Sequence, residues 1–270
     1  MMYFDRVNAK SEAKQTLRTA QPSPLLVTLV YLLLTTGIST LIGLFLANPF
    51  AKAVTLIAQG YDPIDVYRYV FGGGGAMMAI FVTILLSLYF SIMAVGYQGY
   101  TLRLSRGEPG TYGALLEGFN MAVKVVVLDI LMSLFVFLWS MLFLIPGIVA
   151  SYRYSQAVYC LLDDPEISAL EAIRRSKAMM AGQKLNLFVL ELSFFGWVLL
   201  SAVISSGLMY LMGGPTTSVG SLVRTLAIGV FNLWLNPYMN IVFADFYNHL
   251  IGWNGATAGD SGYQGPELEF

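Results

Sequence analysis

A chain of 270 residues that is 57% apolar and only 11% charged, with a mean hydropathy of +0.67, carries more apolar side chain than a soluble domain of this length can bury; a lipid bilayer accepts it directly. A net charge of −1 gives no basic excess for nucleic acid, so the lipid bilayer is the first expected partner. Cys160 and His249 each stand alone, which excludes an intrachain disulfide and leaves too few soft ligands for a zinc or iron–sulfur site; no metal and no cofactor is expected.

Residues 1–21 are polar and charged and lack the apolar core of a cleavable signal peptide; from Tyr3 to Ala20 they suit a weakly amphipathic helix. Measured against the roughly 20 apolar residues that cross a hydrocarbon core, residues 22–252 predict six membrane spans, at about 24–46, 76–102, 123–144, 146–162, 185–212 and 226–250. The connection 47–75 offers Tyr61, Tyr67, Tyr69 and Phe71 to the headgroup level. Its run Gly72–Gly75 reads as a hinge, because no Gly-Lys-Ser/Thr follows it as a phosphate loop requires. The fourth span is the shortest and contains Arg153. Ile145-Pro146-Gly147 is expected to end the third span and start the fourth in a tight hairpin. Asp164-Pro165-Glu166 reads as a helix start. Beyond it, Ile167, Leu170, Ile173 and Met180 share a face, and Arg174, Arg175 and Lys177 project elsewhere. That is an interfacial amphipathic helix, whose cations either meet anionic lipid or serve topology and anchoring. Residues 253–270 are Gly-rich, polar and expected to be mobile.

The cations set the orientation. Arg6, Lys10, Lys14 and Arg18, then Arg103, Arg106 and Lys124, then Arg174, Arg175, Lys177 and Lys184 fall on one side of the expected spans. Lys52, Arg68 and Arg224 fall on the other. The positive-inside rule places the first set, and with six spans both termini, in the cytoplasm. The expected fold is therefore an all-α polytopic bundle with a cytoplasmic amphipathic helix. The recurring Gly96-Tyr97, Ser151-Tyr152 and Pro237-Tyr238 suggest three stacked hairpins.

Polar groups inside spans are the candidate site residues, because a charge in hydrocarbon costs at least ~2.5–3.5 kcal/mol and faces a partner or a wet cavity. They are Asp129, Arg153, Glu191 and Asp245, with Asn232, Asn236 and Asn240 stacked at four-residue spacing around Pro237. Asp129 or Glu191 is expected to neutralise Arg153, and a polar, kinked helix facing an arginine would form a cavity for an anionic or amphiphilic ligand. The plainer use of the same groups is interhelical pairing, at around 1 kcal/mol each. Gly37, Ser39, Gly43, Gly96, Gly99, Gly196 and Gly207 suit close helix approach.

The stretches from Ile145-Pro146-Gly147-Ile148 through Ser151-Tyr152-Arg153-Tyr154, Asp164 through Ser176, and Phe194-Phe195-Gly196-Trp197 resemble the bacterial integral membrane family catalogued as domain-of-unknown-function family 975 (DUF975). Leu104-Ser105-Arg106-Gly107-Glu108 and Asn236-Pro237-Tyr238 extend the resemblance to nearly the whole chain. The central segment is more distantly similar to the membrane domain of some glycerophosphodiester phosphodiesterases. The resemblance implies a multi-pass protein of the bacterial plasma membrane and supplies no catalytic residue. The expected role is a non-catalytic accessory or scaffold of a membrane complex, packing against another membrane protein. The alternatives are binding or transport of a small amphiphile or lipid in a cytoplasm-facing cavity around Arg153, and an enzyme using Asp129 and Glu191 as acid and base.

Overall fold

The structure, a computed structural model, describes residues 4–42, 54–72, 75–214 and 218–253. Among these, the regular structure is helical: α1 Arg6–Thr19, α2 Pro24–Leu32, α3 Pro63–Phe71, α4 Gly75–Ser105, α5 Ala114–Glu117, α6 Ala122–Leu142, α7 Leu144–Tyr154, α8 Ala157–Asp163, α9 Ala169–Met179, α10 Lys184–Leu211 and α11 Ser218–Leu250. A π-helical turn, Leu33–Gly37, carries α2 on into helix as far as residue 42. The Tyr89 hydroxyl of α4 donates to the Leu34 carbonyl of that turn at 3.0 Å.

Five of these stretches are long and apolar enough to cross a membrane: Pro24–Ile42, Ile80–Ser105, Ala114–Leu142, Lys184–Leu211 and Val219–Leu250. Only 11–28% of the most apolar window of each is buried inside the chain, so most of this surface needs an apolar solvent. The protein is multi-pass by this measure. The long pair α4 and α11 forms the centre. One core gathers α1, α2 and α10 against it around Tyr100, Phe194, Ile241 and Phe246, and a second gathers α6, α7, α8 and α9 around Leu128, Leu161 and Ala172.

The expected span limits shift for local reasons. The α6–α7 break sits at Phe143, whose backbone is extended, so Pro146 lies inside the first turn of α7, where its missing donor is harmless. Gly147 makes the hairpin tight, since a Cβ there would meet Ser140 Oγ at 2.0 Å. The stretch 146–162 is two helices jointed at Ser155-Gln156, and neither is long enough to cross alone. The final helix begins at Ser218, before the apolar run that suggested residue 226.

At α9 the expected start is overturned. Asp164 follows α8, and the helix begins at Ala169 with Ser168 as cap, its hydroxyl accepting from the Glu171 amide at 3.2 Å. The apolar face of α9 is not left for a membrane surface: Ala169, Ala172, Ile173 and Met180 are buried in the bundle, and Leu170 alone of the expected face is exposed. The connection before α4 contains α3, capped by Asp62 with Pro63 in its first turn. Close approach occurs at Gly96, where a Cβ would lie 2.2 Å from the Leu115 carbonyl oxygen, while Gly37, Gly196 and Gly207 face open space. The three tyrosines of the suggested repeat have unlike partners: Tyr97 bonds Thr28, Tyr152 bonds Glu191, and Tyr238 packs on Trp234 and Phe194. Gly43, Lys52 and residues 254–270 lie outside the described residues.

Candidate functional site

The intramembrane polar groups do not converge. Asp129 of α6 accepts a hydrogen bond from Ser91 of α4, and Glu191 of α10 accepts one from the Tyr152 hydroxyl of α7. Neither carboxylate pairs with Arg153, whose side chain has no hydrogen-bond or ion-pair partner among the described residues; its backbone carbonyl accepts from Ser176 at 2.9 Å. Asn240 donates to the Asn236 side-chain and backbone oxygens, both at 2.9 Å, so two members of the stripe bond each other one turn apart beside Pro237. Asn232 and Asp245 have no such partner among the described residues.

A denser polar cluster lies where α4, α8 and α11 end together. Arg106 holds Asp163 with two parallel bonds of 2.7 and 2.8 Å, and both side chains are nearly buried, 12% and 13% exposed. Its Nε donates to Asn248 at 3.0 Å, Asn248 donates to Ser105 at 2.8 Å, and the Tyr247 hydroxyl donates to Asp163 at 2.8 Å. Trp253 covers the guanidinium at 4.5 Å. Around this clasp, Arg103 pairs with Glu117, Lys124 donates to the Pro165 carbonyl, and Arg175 pairs with Asp164 at 3.1 Å and Glu171 at 3.4 Å. Arg174 also pairs with Glu171 at 2.6 Å, and Lys177 is exposed. The cations expected on one side thus gather at one end, here termed the basic end. The clasp was missed because its partners are 57 and 142 residues apart in sequence.

At the same end, α1 runs along α11 rather than across it. Phe4 packs edge-on to Phe246 at 5.1 Å, Lys14 sits over Tyr238 at 5.8 Å, and Arg18 lines a groove with Trp234. Lys10 donates to Ser193 of α10 at 2.7 Å and lies over the Phe194 ring at 4.5 Å. Burial, with the charges of Lys14 and Arg6 added, holds its ammonium below the ordinary lysine pKa.

Set against known families, the second half of the chain finds one counterpart. Residues 141–253 match the family model described as protein of unknown function, DUF975. The DUF975 match takes in α7 to α11, and with them Arg153, Asp163 and Asn248, but not Arg106 or α1. No curated protein and no solved structure matches the chain, and no match carries the more distant likeness to the phosphodiesterase membrane domain.

Proposed function

We propose that this is a six-span protein of the bacterial plasma membrane, with both termini cytoplasmic, that acts as a non-catalytic accessory or scaffold of a membrane complex. The sixth crossing is the jointed pair α7–α8. Lys124, at the start of α6, contacts Pro165, just past α8, so the return path covers the full length of α6. The basic end faces the cytoplasm by the positive-inside rule.

The observation that carries the scaffold role is the separation of Asp129 and Glu191 onto partners of different helices, which supports structural use of both rather than acid–base work. A second role, binding of an amphiphile near Arg153, draws support from a guanidinium that has no partner among the described residues. Native mass spectrometry from native-membrane nanodiscs separates the two. A second protein released with this chain in fixed stoichiometry is the expected result. The chain released alone with a discrete small-molecule adduct, lost in Arg153→Ala, overturns the scaffold role in favour of the second.

A further inference from the structure

We propose that the groove between α1, α2, α10 and α11 binds the headgroup of an anionic phospholipid, gripped by Lys14 and Arg18 above the Trp197–Trp234 pair. The groove holds about 400 Å³ and is lined by Lys14, Leu17, Arg18, Leu25, Trp197, Trp234 and Tyr238. Two of these are cations and none is acidic, so an anion is the complementary occupant. Lys14 and Arg18 are exposed, and neither makes an ion pair among the described residues. The two indoles meet edge to face at 5.8 Å and remain 44% and 37% exposed, which offers acyl chains an apolar wall beside the charges.

The depth of the groove selects a lipid over a soluble phosphate. At 33 residues, α11 is about 50 Å long, and roughly 20 residues cross the hydrocarbon. Counted from Ser218, the boundary falls near Pro237–Tyr238. The same count along α4 from Gly75 ends at Ala94, a turn short of Tyr97, and back along α10 from Leu211 it ends at Leu192, two residues from Phe194. Phe194 meets Tyr238, so the counts along α10 and α11 give one level, and Tyr97 of α4 meets Thr28 of α2, a turn past the groove's Leu25. Tyrosine and tryptophan gather at such levels, and headgroup phosphates lie there. The groove is distinct from Arg153 and from Arg174, Arg175 and Lys177. It rests on the membrane reading and is independent of the scaffold role.

The test uses the full chain in detergent, titrated with phosphatidylglycerol or with phosphatidylcholine of the same acyl chains and read by native mass spectrometry. At about 1 kcal/mol per cation near an anionic surface, Lys14→Gln/Arg18→Gln weakens phosphatidylglycerol binding about thirty-fold, or ~2 kcal/mol at 1.4 kcal/mol per decade. Phosphatidylcholine binding stays unchanged. The charge-retaining pair Lys14→Arg/Arg18→Lys keeps the lipid and controls for folding. Equal affinity for both lipids, or an unchanged phosphatidylglycerol affinity in the neutral variant, overturns the proposal. So does displacement of the lipid by millimolar glycerol phosphate, which would make the site one for a soluble phosphate ester.

Discussion

Asp163→Asn strikes the clasp at its most buried point. The side chain keeps its volume but loses the charge that Arg106 holds through two bonds, leaving a guanidinium that is only 12% exposed without its counter-ion. Breaking one side of a buried pair costs ~3–5 kcal/mol, whereas replacing both partners with apolar groups is often neutral. The stacking of Trp253 on Arg106 and the Asn248 bond remain, so the lower part of that range applies. For a chain of this size the loss lowers the melting temperature on the order of 10 °C. Cys160, the single cysteine, is buried in α8 a turn before Asp163, so a thiol-reactive fluorophore reports the opening of this helix during a thermal ramp. Arg106→Met/Asp163→Leu should lose less than half as much as Asp163→Asn. A shift under 2 °C for Asp163→Asn, or a double variant worse than the single, refutes the clasp.

Gly147→Ala should destabilise the α6–α7 hairpin by about 1–3 kcal/mol, because its Cβ would meet Ser140; Ser140→Gly in the same chain should restore part of the loss in the same thermal ramp. Gly96→Ala should be worse than Gly147→Ala, since the obstruction is the Leu115 backbone carbonyl, which cannot rotate away. Ser168→Ala should cost α9 about 1 kcal/mol, and Ser168→Asp should retain most of it. The lowered pKa of Lys10 means the folded chain releases that proton before the unfolded chain does, so stability rises with pH from the lowered value up to 10.5. Lys10→Met should flatten that rise in thermal ramps taken across alkaline pH.

The long spans were legible because their apolar runs exceed anything a soluble helix of this composition needs, and α10 departs by one residue at each end from the expected 185–212. The stacking of Asn236 and Asn240 was equally legible, since helical periodicity alone places residues four apart together. Where signals competed, the louder one misled: Asp164-Pro165-Glu166 has the composition of a helix start, yet Ser168 is the cap, its hydroxyl accepting from the Glu171 amide. The joint at Ser155-Gln156 carries no glycine or proline and gave no sign. Arg106 was visible as a topological cation, but its partners Asp163, Asn248 and Trp253 meet it only through tertiary packing. The arginine expected to find a carboxylate in the bundle, Arg153, finds none among the described residues, while Arg106, for which no partner was expected, sits at the centre of a nearly buried polar network.

The six-span arrangement is tested most directly by cysteine accessibility in a Cys160→Ser background, comparing Ile145→Cys at the α6–α7 tip with Lys177→Cys on α9 in intact bacterial cells. A membrane-impermeant maleimide should label position 145 from outside and reach position 177 only after the cells are opened. Labelling of both positions from the same side would mean that α7 and α8 do not cross, and the arrangement would be wrong.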